Sequence, residues 1–410
     1  MRIRVAATVT GADTVDVAIH AEDTGFVAEH FRARLVYSGV PVPDGPPLQV
    51  PADTPVVPLD PANDLYGGIL FQGARFQRLR RFHRAAARHV DADVAVEREP
   101  DGWFAGFLPG GLLLADPGMR DSLMHGNQVC VPDATLLPSG VERIHPLGTG
   151  DHVPDRLRYT AVERSRDGDT YVYDIAVRTE DGTVVERWEG LTLHAVRKTD
   201  GSGPWVTPLL GPYLERSLED VLGARIAVAV EPHGDAPAGS ISQRRGFTAD
   251  AAARAMGSPV TVHHRPDGRP EIGASRHVSM SAAHGLGVTV SAVSDTEVAC
   301  DIEAVSMRPT AEWHGLLAEH APVAQLVAKE TGEAPDTAAT RVWSAVECLK
   351  KAGIMAGAPL TVLPRRKDAW VVFAAGDLRI ATFVTGLRDA LEPAVFAFLT
   401  HAPDHIEGRS

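Results

Sequence analysis

Apolar and polar residues alternate most regularly in TYVYDIAVRTEDGTVVERWEGLTLHAV, residues 170–196, where Asp181 and Gly182 interrupt two long runs. That pattern predicts a β-hairpin, because side chains on a strand alternate between faces and Asp-Gly suits a tight turn. Shorter alternations in VDVAIHAED and FRARLVYSG predict two strands within the first 37 residues. Between 41 and 58 stand Pro41, Pro43, Pro46, Pro47, Pro51, Pro55 and Pro58, which remove backbone donors and predict an extended connector. Residues 64–197 then read as β-rich around a helix near 116–126, a helix packed on an antiparallel sheet. The polar, Gly- and Pro-containing stretch KTDGSGPWVTP at 198–208 predicts a second linker.

Beyond it, LLGPYLERSLEDVLG reads as a short helix or a pair of turns, and ARIAVAVEP as an apolar strand. Residues 248–257 read as a helix capped by Thr248 and ended by Gly257. Strands are expected at 286–293 and 297–305, and helices at 311–319 and 340–352. The division expected is 1–40, 41–63 (linker), 64–197, 198–208 (linker), 209–400 and a loose tail at 401–410. There is no internal repeat, and the fold class is α+β.

Composition narrows the function. Across 410 residues, 44% are apolar and 23% charged, and 53 acidic against 40 basic residues give a formal charge of −13. An acidic chain lacks the electrostatic footprint of a nucleic-acid binder. No run approaches the ~18 apolar residues of a spanning helix. The start MRIRVAATVTG carries no apolar leader core, so the expected location is cytoplasmic, away from membranes. Cys130, Cys300 and Cys348 have neither zinc-knuckle nor CxxC spacing.

Two segments carry chemistry. In EVACDIEAV, period-two alternation puts Val298, Cys300 and Ile302 on the buried face of a strand and Asp301 and Glu303 together on the other. Paired carboxylates repel unless a cation compensates, and a hard divalent ion such as magnesium prefers oxygen donors; a solvated face is the plainer alternative. In TRVWSAVECLKKAG, a helix from Thr340 to Gly353 makes Val342, Ala345, Val346 and Leu349 the apolar stripe, with Trp343, Glu347 and Lys351 at four-residue spacing beside it. Alone, Glu347 and Lys351 read better as an ordinary surface ion pair worth ~0.3–0.5 kcal/mol.

Together, the DxE strand and the WxxxExxxK helix resemble the signature of the 4'-phosphopantetheinyl transferases of the larger, pseudo-dimeric type. Upstream, DGRP at 267–270 resembles that family's Gly-Lys-Pro loop, and HVSMSAAHGLGVTVSA at 277–292 its Ser-His strand and turn. The resemblance covers about 209–400 and implies a pseudo-dimeric α+β transferase domain that moves the phosphopantetheine arm of coenzyme A to a serine of an acyl carrier protein. It implies that Asp301, Glu303 and Glu347 hold Mg2+ on the pyrophosphate. Lys351 would stabilise the breaking phosphoanhydride, and Glu347 would take the serine proton. Arg244, Arg245, Gly268, Arg269, Pro270, Ser281 and His284, with Lys351, would contact the coenzyme. The sequence departs from the family where Val346 and Cys348 flank Glu347 and where Ala282 follows Ser281.

LYGGILFQGARF at 65–76 and LLLADPGMRDSLMHG at 112–126 resemble the second hot-dog half of polyketide synthase dehydratases. This implies a partial hot-dog dehydratase-like domain over about 1–197, with residues 1–40 the last strands of a first half. Asp121 and His125 match that family's helix motif. Asp121 would be the acid that protonates the leaving hydroxyl and His125 its orienting partner, with helix capping or solvation the alternative for Asp121. The family's partner histidine, in HxxxG, has no match at His20, His30, His83 or His89. Dehydratase followed by transferase resembles the C-terminal end of the iterative synthases of enediyne assembly, which implies an acyl carrier protein and other synthase domains as partners. Three functions follow as expectations: carrier-protein modification first, then dehydration of β-hydroxyacyl thioesters, then a noncatalytic docking scaffold.

Overall fold

In a computed structural model, residues 3–36 form three antiparallel strands, β1 (Ile3–Val9), β2 (Thr14–Ala21) and β3 (Glu29–Val36), in the order β1-β2-β3. Two of them, β2 and β3, are the strands expected from alternation; β1 is a third, and its sequence IRVAATV alternates as well. The structure describes all residues except 38, 40, 48–54, 98–115, 148–153, 234–238, 274–277, 356, 365, 366, 368 and 403–410. Part of the Pro-rich connector, the start of LLLADPGMRDSLMHG, His277 and most of the tail therefore lie outside the described residues. The chain divides into two compact units, Met1–Pro43 and Asp44–Ser410.

In the second unit, β4 (Leu79–Ala86), β5 (His89–Ala95), β6 (Ala134–Gly140), β7 (Arg143–His145), β8 (Arg156–Asp167), β9 (Thr170–Arg178) and β10 (Val184–Lys198) make a seven-stranded sheet of order β4-β5-β8-β9-β10-β6. The short strand β7 pairs with β10 off that path. The hairpin predicted at Asp181-Gly182 joins β9 to β10, with Gly182 at φ 89°, a left-handed conformation that costs glycine little. Helix α1 (Pro117–His125) buries Met119 and Leu123 in the core that this sheet shares. Asp116 caps it, accepting from Gly118 N at 2.8 Å, so Asp121, one turn in, is not the cap.

The segment expected to be a short helix or turns is one 16-residue helix, α2 (Thr207–Leu222). It runs through Pro212, and Gly211 lets it press on the next strand, β11 (Ala227–Pro232): a Cβ there would lie 2.7 Å from Val228 O. Its Leu209, Leu210, Tyr213, Leu214 and Leu218 join the same hydrophobic core as Phe82, Tyr173 and Leu193 of the seven-stranded sheet, so one core continues across 198–208. Arg216, 5% exposed on α2, donates to Cys130 O at 2.7 Å and also reaches Ala87 O and Glu163 on the sheet side. Such a buried guanidinium is tolerable only with this many acceptors.

Helix α3 (Ile241–Met256) begins seven residues before the expected start, because Ser240 and Gln243 form a reciprocal capping box. Thr248 is interior, its hydroxyl donating to Arg244 O, while Gly257 ends the helix at φ 69° as expected. After the short hairpin β12 (Val262–His264) and β13 (Pro270–Ile272) come β14 (Ser279–Gly285) and β15 (Val288–Ser294), which pair in the order β11-β15-β14. Strand β16 (Val298–Ala304) begins a second sheet. Helices α4 (Thr310–Leu317), α5 (Ala321–Thr331) and α6 (Pro335–Lys351) precede β17 (Thr361–Val362), β18 (Trp370–Ala375), β19 (Leu378–Thr385) and β20 (Ala394–His401), in sheet order β16-β20-β19-β18-β17. Helix α6 starts at Pro335 and contains Thr340 instead of beginning there; proline at the first helical position gives up no intrahelical bond. Its Val342, Ala345, Val346 and Leu349 are all buried against this sheet. Among the described residues no helix is long and apolar enough to cross a membrane.

Candidate functional site

On α1, Asp121 and His125 lie one turn apart, with Asp121 Oδ2 2.9 Å from His125 Nδ1. The other ring nitrogen, Nε2, is 3.2 Å from the hydroxyl of Tyr66, which accepts from Leu79 N at 3.3 Å. The Tyr66 and His125 rings meet edge to face at 5.8 Å. His125 is buried, whereas Asp121 keeps 28% of its side chain exposed at a cleft of about 290 Å³ lined by Phe71, Phe76, Leu136 and Leu193 among others. Among the described residues lining it, Asp121 and His125 are the two ionisable ones. His83 and His89 do not line it: His83 Nε2 is 3.0 Å from Asp93, and His89 is buried, with a pKa pushed down to about 3 by burial and then by Arg84. Tyr66 escapes sequence reasoning because it contacts His125 across 59 residues, with no periodicity to announce it.

The second cluster gathers on β16 and α6. The expectation that only one face of β16 is buried needs correction: α6 covers the other face, and Asp301 is 5% exposed. Lys351 Nζ donates to Asp301 Oδ1 and to Cys300 O, each at 2.8 Å, leaving Asp301 Oδ2 buried without a hydrogen-bond partner. Burial raises the Asp301 carboxyl, opposed by Lys351. Glu303 is raised by burial and then by Asp301, and accepts from Trp343 Nε1 at 3.3 Å. Glu347 accepts from Lys350 at 2.6 Å and raises both Asp301 and Glu303 electrostatically. The three carboxylates therefore share one electrostatic neighbourhood, and each has a donor of its own. Among the described residues no group of three His, Cys, Asp or Glu side chains is placed to hold a metal ion. Hard oxygen donors and the orphaned Asp301 oxygen suit a small divalent cation in kind; Lys351 and Lys350 hold the positions such an ion would contest.

Of the residues expected to bind the coenzyme, Gly268, Arg269, Pro270, Ser281 and Lys351 line one cleft of about 1280 Å³. Gly268 turns the β12–β13 hairpin at φ 90°, and Arg269 Nη2 reaches Lys350 O at 3.4 Å. The Ser281 hydroxyl accepts from Cys300 N at 3.0 Å, tying β14 to β16. Arg244 and Arg245 are exposed on α3, outside that lining. His284, expected to contact a coenzyme phosphate, is hydrogen-bonded within the fold. Its nitrogens meet Thr289 Oγ1 at 2.8 Å and Thr248 Oγ1 at 3.2 Å, and burial with His233, Arg244 and Lys351 lowers it to about 4, so it is neutral and occupied.

Residues 43–203 match the family described as the polyketide synthase dehydratase N-terminal domain, so this stretch is of polyketide synthase dehydratase type. The expectation from the motifs at 65–76 and 112–126 is the second hot-dog half, whereas the family matched is described as the N-terminal domain. Among solved structures, the dehydratase domain of RzxB from Pseudomonas fluorescens is 17% identical over 47% of this chain and 68% of that one, with a TM-score of 0.33. The bifunctional dehydratase-cyclase domain in ambruticin biosynthesis is 16% identical over 47% and 67%, with a TM-score of 0.35. A trans-acyltransferase polyketide synthase enoyl-isomerase is 14% identical over 47% and 72%, with a TM-score of 0.33. No curated protein matches the chain.

Proposed function

We propose that the Asp121–His125 cleft acts on β-hydroxyacyl thioesters carried by an acyl carrier protein, removing water during polyketide assembly. The observation that carries this reading is the Asp121–His125–Tyr66 hydrogen-bonded series opening on an apolar cleft within the dehydratase-type stretch. Apolar walls suit an acyl chain, and Asp121, the one carboxyl among the described residues lining the cleft, is the group able to move a proton to the departing hydroxyl. The test is water loss from a 3-hydroxybutyryl thioester of N-acetylcysteamine, followed at the enoyl absorbance. The wild-type chain releases water and Asp121→Asn does not; a folded wild-type chain without turnover ends the reading.

A second reading concerns residues 209–400 and is favoured by Lys351, which pairs with Asp301 and lines a cleft of about 1280 Å³, with Glu303 and Glu347 in the same electrostatic neighbourhood. It is transfer of phosphopantetheine from coenzyme A to a carrier-protein serine. Arg269 and Lys351 would neutralise phosphates in the cleft, and Glu347 would accept the serine proton. Asp301, Glu303 and Glu347 would hold Mg2+, which when bound supplies charge stabilisation for the leaving 3',5'-ADP. Mass spectrometry of an apo carrier protein with coenzyme A and magnesium tests it: a gain of one phosphopantetheine, absent with Glu303→Ala and Glu347→Ala, is expected. No gain with several carrier proteins refutes it.

A further inference from the structure

We propose that Lys351 and a divalent cation are alternative partners of Asp301, and that a phosphate in the adjoining cleft decides between them by drawing Lys351 to itself. The proposal rests on the transferase reading for the identity of the phosphate ligand, coenzyme A.

Asp301 is 5% exposed, yet its two oxygens are treated unequally. Oδ1 accepts from Lys351 Nζ at 2.8 Å, whereas Oδ2 is buried with no hydrogen-bond partner. Ser344 of α6 acts on the same carboxyl, lowering it, and its Oγ is likewise buried without a hydrogen-bond partner. Two unsatisfied buried oxygens at one place suit a small hard cation, which takes oxygen ligands. Glu347 adds negative charge, raising both Asp301 and Glu303. Lys350 offsets Glu347 at 2.6 Å, and Lys351 offsets Asp301.

A divalent ion on Asp301 would lie against the Lys351 ammonium, and two like charges that close repel strongly in a buried setting. One of them has to leave, and Lys351 has the freedom to do so. It is the last residue of α6, 32% of its side chain is exposed, and it lines the cleft of about 1280 Å³ beside Gly268, Arg269 and Pro270. Its flexible four-carbon stem turns without breaking a helix bond. Leaving costs it two acceptors, Asp301 Oδ1 and Cys300 O. A phosphate in the cleft replaces them with charged oxygens, which a neutral ligand does not. The ion and the phosphate ligand therefore bind with positive coupling, each strengthening the other by the same factor.

The experiment measures binding of Mn2+, which takes the same kind of oxygen site as Mg2+, by calorimetry on the full chain, with and without coenzyme A and with no carrier protein. The quantity read is the factor by which coenzyme A tightens Mn2+ binding, compared between wild type and Lys351→Met. An ammonium that stayed in place would repel the ion equally in both conditions, and direct contact of the ion with the phosphates is common to both proteins, so each cancels in the ratio of the two factors. Displacement makes the factor about tenfold larger in wild type, within the usual span of coupling between sites. A ratio near one overturns the proposal and leaves the transferase reading standing. If coenzyme A does not bind folded wild type, the reading itself falls and the proposal with it. Circular dichroism checks the fold of the variant, and Lys351→Gln, which keeps an N–H donor, replaces Lys351→Met should that one unfold.

Discussion

Lys351 Nζ sits 2.8 Å from Asp301 Oδ1, a contact made across 50 residues that fastens the end of α6 to the centre of β16. The same nitrogen bonds Cys300 O, so one cation serves one oxygen of a carboxylate and a backbone oxygen. Lys351→Met leaves Asp301 buried and uncompensated. Removing one partner of a fully buried pair costs about 3–5 kcal/mol, and the partial exposure of this lysine reduces the expected loss to about 2 kcal/mol, measured by urea unfolding.

Glu303 gives a pH signature. Its folded pKa lies above its ordinary value, so its protonated form is the stabilised one: that contribution is complete below the unfolded value and disappears as pH rises through the folded value. Glu303→Gln, which still accepts from Trp343, therefore raises Tm at pH 7 and leaves it nearly unchanged at pH 4. Calorimetry at the two pH values checks the difference.

His89 acts in the opposite sense. Its pKa of about 3 lies below the ordinary 6.5, so its neutral burial stabilises the fold above pH 6.5, and that stabilisation is lost progressively as pH falls toward 3. The shift corresponds to about 5 kcal/mol between those limits. His89→Gln lowers the midpoint of acid unfolding, read by far-UV circular dichroism.

Gly126, just after α1, packs against Tyr159: an added Cβ would lie 2.0 Å from the tyrosine hydroxyl oxygen. Its φ of −60° is ordinary, so the obstacle is space alone. Gly126→Ala costs about 1–3 kcal/mol by overpacking, and the double variant with Tyr159→Phe recovers part of it, which thermal unfolding of the two variants measures.

Period-two alternation and Asp-Gly make the β9–β10 hairpin legible, and four-residue spacing makes the buried stripe of α6 legible. Local signals misplace the starts of α3 and α6, since Ser240 and Pro335 compete with Thr248 and Thr340 as plausible openings. Gly211 and Pro212 read as breakers of α2, yet burial against β11 overrides their propensity. At the candidate sites, motif resemblance gathers Asp301, Glu303, Glu347 and Lys351. It misses Tyr66, because a hydrogen-bond partner 59 residues away leaves no trace in spacing.

Arg216 makes the stretch 198–208 a poor place for scissors. Severed there, the C-terminal portion would carry a naked guanidinium and a stripe of leucines that had lost the carbonyls and rings they were shaped against. Anyone wishing to graft that portion onto another protein would have to transplant the seven-stranded sheet as its cradle.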